Sequence, residues 1–317
     1  MSQTLQNGAS CLADAVEVKQ SILKLSPYVP GKPIAEVKRE LGLPDDFSIL
    51  KLASNENLLG PSPKAIEAMQ NAAPDVWLYP DDTCFDLKNA LAAHWNLTPD
   101  HFSVGNGSDE IIHFLGLAFL DSARGDEVIF GAPSFVQYKA AALHADCKFH
   151  AVPLTDDHRH DLRAMREKVN SNTRLIFIAN CNNPTGSVVT RAEWEEFLAE
   201  LPPHVVTVLD EAYYEYLDEG VDTPRAIDYI LDHNVVSLHT FSKAYALAGT
   251  RVGYGMARPE LIRFLNQVRG PFNVNMIAQA GALAGLADQN HIEKSVEVVR
   301  EGREQFYAAF EEMGLEY

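Results

Sequence analysis

RLIFIANCNNPTGSVVTRAEWEEFLAELPPHVVTVLDEAY, residues 174–213, holds a strand, a turn, a helix and a second strand within forty residues. The runs LIFIA (175–179) and VVTVL (205–209) are apolar at nearly every position, as strands buried on both faces should be. Asn183, Pro184, Thr185 and Gly186 supply the turn after the first run, and residues 190–200 read as a helix. The same texture extends outward. Runs at 127–130, 148–153 and 235–240 alternate with helical patterns at about 108–120, 135–145, 160–168 and 224–232. Strands spaced by helices predict an α/β fold, a mainly parallel sheet with helices on both faces. In open sheets of this kind, ligands sit beyond the carboxyl ends of the strands.

The flanks are less regular. Residues 1–25 read as a loose arm ending in a short helix, followed by a helix at 33–41. LKLASNENLLGPSP (50–63) predicts a short strand and then a loop rich in Asn, Gly and Pro, with a helix at 63–72. Beyond Arg258 the pattern is helical at 259–268, 275–288 and 290–313. In the last of these, Ile292, Val296, Val299, Phe306 and Phe310 form one packing face, interrupted by Arg303. Gly314 suits the residue after a helix end, and a further strand is expected to begin by Tyr317.

Composition narrows the function. A chain of 317 residues, 46% hydrophobic, can bury a large core. Its formal net charge of −18 opposes nucleic-acid or anionic-membrane binding as a main activity. Cys11, Cys84, Cys147 and Cys181 are scattered without a C-x-x-C, which suggests neither a zinc site nor a disulfide framework. No apolar run approaches membrane-spanning length, and the N-terminus lacks a basic segment leading into an apolar core. A cytoplasmic setting is the expectation.

The residues with chemistry stand at strand ends. VVSLHTFSKAYALAGTRVGY (235–254) reads as a strand ending in Thr240, Phe241, Ser242 and Lys243, with Arg251 eight residues on. A lysine past a strand is ordinarily a solvated loop residue, but between hydroxyls and a fixed cation it also fits a Schiff-base nucleophile beside a phosphate. Gly105–Ile112 joins a short strand to a helix, with Ser108 as its expected N-cap and Asp109 and Glu110 in the first turn. That is either a well-capped helix or a phosphate site on the N–H groups of residues 107–110, provided the two carboxylates point away. Asp210 follows VVTVL directly, and a carboxylate there demands a partner: a salt bridge, a metal, or a protonated ring nitrogen. Tyr213 and Asn183 could reach a ring oxygen of the same ligand, and Phe135 could stack on its ring.

Taken in order, these pieces resemble the fold-type I pyridoxal-phosphate (PLP) aminotransferases, specifically the histidinol-phosphate aminotransferase branch. The matching motifs are Tyr28 to Gly31, Ser54-Asn-Glu-Asn57 with Gly60-Pro-Ser-Pro63, Tyr79-Pro-Asp81, Gly105 to Ile112, Asn183 to Gly186, Asp210 to Tyr213, and Ser242-Lys243 with Ala246 to Gly249 and Arg251. The resemblance implies three parts: an arm with part of a small domain at 1–49, a large cofactor-binding domain at 50–258, and a helical connection to an incomplete small α/β domain at 259–317. Lys243 would carry the cofactor aldehyde and shuttle a proton, Asp210 would face the ring nitrogen, and Tyr213 and Asn183 the ring oxygen. Ser108, Asp109, Glu110, Thr240, Ser242 and Arg251 would surround the phosphate, and Tyr28, Asn55 and Asn183 would meet substrate. A homodimer is implied, in which Tyr79 reaches the partner's phosphate.

Two departures stand out: Leu58 occupies a position where the family usually has proline, and the family's substrate-carboxylate arginine falls beyond Tyr317. The implied reaction joins histidinol phosphate and 2-oxoglutarate to imidazole-acetol phosphate and glutamate. An aromatic-amino-acid aminotransferase or a phospho-amino-acid decarboxylase would use the same scaffold, and a non-catalytic PLP-binding regulator is the reading from a different class.

Overall fold

The computed structural model describes residues 17–27 and 31–317. Tyr28 lies outside the described residues, as does most of the arm. Seven strands form one sheet: β1 (Phe102–Gly105), β2 (Glu127–Ala132), β3 (Lys148–Pro153), β4 (Thr173–Ala179), β5 (Val206–Asp210), β6 (Val235–Thr240) and β7 (Gly253–Met256). Their order is β1-β7-β6-β5-β4-β2-β3. Every pairing from β6 to β3 is parallel, while β7 runs antiparallel to both β1 and β6.

Ten α-helices accompany the sheet in the described residues: α1 (Ile34–Leu41), α2 (Pro63–Ala72), α3 (Phe85–Trp95), α4 (Ser108–Phe119), α5 (Gln137–His144), α6 (Leu162–Glu167), α7 (Arg191–Ala199), α8 (Pro259–Val268), α9 (Met276–Leu286) and α10 (Gln289–Met313). None is long and apolar enough to cross a membrane. Strand parity divides the core into two layers. Leu175, Phe177, Val206, Val208, Val236 and Leu238 pack with α4, α5 and α8 on one face. Ile176, Ile178, Leu209 and Val235 pack with α3, α6, α7 and α9 on the other. The central strands are therefore buried on both faces, as their unbroken apolar runs predict.

Several expectations need correcting. Residues 50–53 form no strand: Leu50 and Leu52 are exposed, and among the described residues no strand pairs with them. The pattern at 224–232 yields only the 3₁₀ turn Ala226–Asp228, pinned by the Glu211 carboxylate accepting from the Ala226 N–H at 3.1 Å. α4 begins at Ser108 with Gly107 as its cap residue, one position earlier than expected. On α10 the packing face is used at its start, where Ile292 is buried and Val296 packs against the core, whereas Phe306 is exposed. Gly314 closes α10 in the left-handed conformation (φ 66°), and residues 315–317 form no strand.

β7 was not foreseen, because GYGM is too short and too rich in glycine to read as a strand. Its glycines serve a close approach. A Cβ on Gly253 would lie 2.5 Å from the Ser108 nitrogen and 2.8 Å from the Gly107 carbonyl carbon, both backbone atoms. Only glycine lets the N-terminus of α4 sit this close to the sheet. Gly253→Ala is therefore expected to destabilise the chain by about 1–3 kcal/mol in denaturant unfolding. Gly249→Ala, with nothing within 4 Å of its Cβ, should change stability little. Equal midpoints for the two variants would contradict this packing account.

Candidate active site

The carboxyl ends of β1, β2, β4, β5 and β6 open toward one cavity of about 250 Å³. The segment after β1 brings Ser108 and Asp109, the segment after β2 brings Phe135 and Tyr138, and the loop after β4 brings Cys181 and Asn183. β5 ends in Asp210, with Tyr213 close behind. β6 ends in Thr240, followed by Ser242, Lys243 and Arg251. Ser54 and Glu56 close the cavity from the N-terminal loop. Ten of the residues expected from the sequence meet on one wall or another of this space.

Asp210 sits at its floor. It continues the parity of Val206 and Val208, so its carboxylate emerges on the α4/α5 side of the sheet, only 4% exposed. Tyr138 donates its hydroxyl to Oδ2 at 2.7 Å, and the Ala212 N–H donates to Oδ1 at 3.1 Å. Burial outweighs these two donors and pushes the carboxyl up to about 6. Such a carboxylate calls for a cation.

Lys243 approaches from the opposite side. Its Nζ donates to the Ser54 carbonyl at 3.1 Å and stands 5.6 Å from the centre of the Tyr213 ring. Burial lowers its pKa and Arg251 adds to that, while Asp109, Glu56 and Asp210 act the other way. The Tyr213 hydroxyl is held by Asn55 Nδ2 at 3.0 Å, and burial raises its pKa. Asn55 adopts a left-handed backbone (φ 51°) to make this turn. It touches the site through Tyr213.

An anion cradle lies at the N-terminus of α4. First-turn N–H groups have no intrahelical partners, and among the described residues no side chain caps this helix to take them up. Gly107 (φ 86°) leaves room there for Arg251, whose Nη2 would be 2.6 Å from any Cβ. Arg251 Nη1 donates to the Ala248 carbonyl at 3.2 Å and reaches Ser242 Oγ at 3.5 Å, while Nη2 lies 3.4 Å from Asp109 Oδ2. The Thr240 hydroxyl accepts from the Ser242 N–H at 3.1 Å and fixes the turn.

Two of the expected contacts are absent from this cradle. The Gly107 N–H is already given to the Gly105 carbonyl at 2.8 Å. Glu110 turns away from the cavity, accepting from the Asn106 N–H and from Asn273 Nδ2, each at 2.6 Å. Asp109 stays in the cavity, its pKa raised by burial against the pull of Arg251 and Lys243. Tyr79 does not line this cavity either. It is 80% exposed and stacks on Phe272 at 4.6 Å.

Sequence reasoning missed Tyr138. It lies three positions after Phe135 on a helical pattern, so it reads as core, and its ring indeed stacks flat on Phe177 at 4.7 Å. Only its hydroxyl is functional in position, and no sequence signal marks that. Ser54, Cys181 and Ala248 were likewise not singled out as lining residues.

The Asp210 geometry has a measurable consequence. An unfolded aspartate ionises near pH ~3.9, whereas the buried one holds its proton to about 6. The native state thus binds more protons between these values, and the contribution of Asp210 to stability falls as pH rises through that window. In cofactor-free protein, Asp210→Asn should remove a loss of about 2–3 kcal/mol between pH ~4 and ~6. Parallel wild-type and variant stability curves by urea unfolding would contradict the assignment.

Residues 48–317 match the family model described as aminotransferase class I and II. The histidinol-phosphate aminotransferase of Moorella thermoacetica is 47% identical over 308 residues, covering 96% of this chain and 78% of that protein. The crystal structure of histidinol-phosphate aminotransferase from Sinorhizobium meliloti in complex with pyridoxal-5'-phosphate superposes with a TM-score of 0.80 at 29% identity. That alignment covers 92% of this chain and 76% of that one. Aspartate aminotransferase from Thermus thermophilus with maleate also gives 0.80, at 22% identity and covering 95% and 82%, a likeness of fold alone.

Proposed function

The chain belongs to the class I and II aminotransferase family, and from that membership we propose that it is a PLP-dependent enzyme moving an amino group between histidinol phosphate and 2-oxoglutarate. The products are imidazole-acetol phosphate and glutamate, a step of histidine biosynthesis, run in the cytoplasm. The observation that carries the reaction type is the convergence of Lys243, Asp210 and Arg251 on one cavity at the strand ends. Likeness to histidinol-phosphate aminotransferases over nearly the whole chain supports the substrate.

The residues present fit PLP. Among the described residues no cation pairs with the buried Asp210 carboxylate, which has two neutral donors, and the α4 cradle sets open first-turn N–H groups beside a guanidinium. Lys243 Nζ would hold the cofactor covalently, Asp210 would meet its ring nitrogen, and Tyr213 and Asn183 its ring oxygen. Phe135 would lie against the ring. The N–H groups of the first turn of α4, with Ser108, Thr240, Ser242 and Arg251, would hold the phosphate. Arg251 would then exchange Asp109 for a stronger anion. When bound, PLP supplies a carbon that accepts an amine and a ring that stores the electron pair released at the substrate Cα.

The protein's own contribution is proton handling and position. Burial favours the neutral amine of Lys243, which, once the substrate amine has displaced it, would take the proton from the substrate Cα and deliver it to the cofactor carbon that had held the lysine. The Ser54 carbonyl limits where that amine can swing. Asp210, ionised once a cation faces it, keeps the ring nitrogen protonated. Residues 50–258 would form the cofactor-binding unit, with an arm before it and, in 259–317, the connection to a small domain.

We further propose a homodimer with shared sites, supported by the exposure of Tyr79 beside exposed Val76, Trp77 and Leu78. Tyr79 of each protomer would serve the cofactor phosphate of the other.

Two experiments test these readings. Histidinol phosphate added to PLP-loaded protein should bleach the visible absorption of the lysine-bound cofactor, and Lys243→Ala should abolish both band and turnover. A band that survives Lys243→Ala removes the lysine from its role; bleaching only by an aromatic amino acid removes the substrate. For the dimer, mixing Lys243→Ala with Tyr79→Ala protomers should restore up to about a quarter of wild-type activity, since one site per mixed dimer is intact. No recovery on mixing would contradict sharing.

A further inference from the structure

Among the described residues, the charged side chains lining the cavity are Glu56, Asp109, Asp210, Lys243 and Arg251. Four of them have partners or tasks in the reading above. Glu56 has neither in the cofactor chemistry, and its charge works against the site by favouring the ammonium form of Lys243. It is nevertheless fixed in place. Ser54 on one side accepts from Lys243, and Asn55 donates to Tyr213. On the other side Asn57 donates to the Ala244 carbonyl at 3.0 Å and to Ser295 Oγ at 2.9 Å. A turn pinned this closely to Lys243 and Tyr213 sets the backbone from which the Glu56 side chain reaches the cavity wall.

Among the described residues the one partner that Glu56 shows is Lys51, whose Nζ lies 2.8 Å from Oε1 with the two side chains 21% and 39% exposed. Partly exposed pairs of this kind contribute little and exchange readily. We propose that Glu56 determines donor specificity by accepting the imidazole N–H of the amino donor, and that Lys51 is a placeholder cation on the same carboxylate. This inference rests on histidinol phosphate being the donor. The two substrates then differ in what they present to Glu56. The donor brings an imidazole, an N–H donor that becomes cationic below pH ~6.5. The acceptor 2-oxoglutarate brings carboxylates, which Glu56 repels. One residue thus favours the donor and disfavours the acceptor.

The test follows from this opposition. In PLP-loaded Glu56→Gln enzyme, KM for histidinol phosphate should rise roughly fivefold to tenfold, while KM for 2-oxoglutarate falls or stays level. Lys51→Met, which removes the placeholder, should leave KM for histidinol phosphate level or lower it. A rise of both KM values in Glu56→Gln, or Lys51→Met damage equal to that of Glu56→Gln, would make the pair a structural brace and overturn the inference. Wild-type turnover of histidinol phosphate with an indifferent Glu56→Gln variant overturns the Glu56 assignment alone. Wild-type turnover of a different donor in place of histidinol phosphate overturns the substrate reading and this inference with it.

Discussion

A carboxylate taken out of water is the constraint on which the site depends. Asp210 ends the β5 run with its side chain on the α4/α5 face at the cavity floor, and burial raises its pKa to about 6 despite two hydrogen-bond donors. Leaving a buried carboxylate without a cation is costly unless a ligand supplies one. The surrounding architecture fits that requirement. Tyr138, stacked on Phe177, aims one hydroxyl at Asp210, and the strands on either side of β5 place Asn183 and Lys243 around the space above it. Under the proposed assignment the missing cation arrives with the cofactor. The chain's net charge of −18 makes such a local arrangement the more necessary for a phosphorylated ligand.

The second constraint is geometric. The N-terminus of α4 reaches the cavity because β7 presents glycine beneath it, and Gly107 leaves space for the Arg251 guanidinium. The helix end follows the first strand of the chain and the arginine precedes the last, and β7, paired between β1 and β6, brings them together. Lys243 and Arg251 thus lie in one short segment yet do different work. The first is held by Ser54 and the second by Ala248 and Asp109.

Much of this was legible in the chain itself. Unbroken apolar runs such as LIFIA report burial on both faces, and turn residues after each run locate the functional ends. Those local signals placed Asp210, Asn183, Ser242 and Lys243 at strand ends, with Arg251 eight residues beyond the lysine. What escaped was decided by tertiary contact. β7 forms because two neighbouring strands pair with it, against the poor strand preference of GYGM. Of residues 224–232 only the 3₁₀ turn Ala226–Asp228 is regular, and Glu211, from another segment, accepts from its first N–H. Glu110 looked like a first-turn anion site residue, but Asn273, far along the chain, draws it away. Tyr138 reads as core because most of it is core. Tyr28 falls outside the described residues, and Tyr79 lies away from its own chain's cavity, so its proposed task depends on a second copy.

The central claim is that the buried Asp210 carboxylate is paired with a cation on the cofactor ring. Nitrogen NMR of protein loaded with PLP labelled at its ring nitrogen reads that pairing directly. A protonated ring nitrogen in the wild type near pH 8, lost in Asp210→Asn, is the predicted result. An unprotonated ring nitrogen in the wild type, or one protonated equally in both proteins, would contradict it.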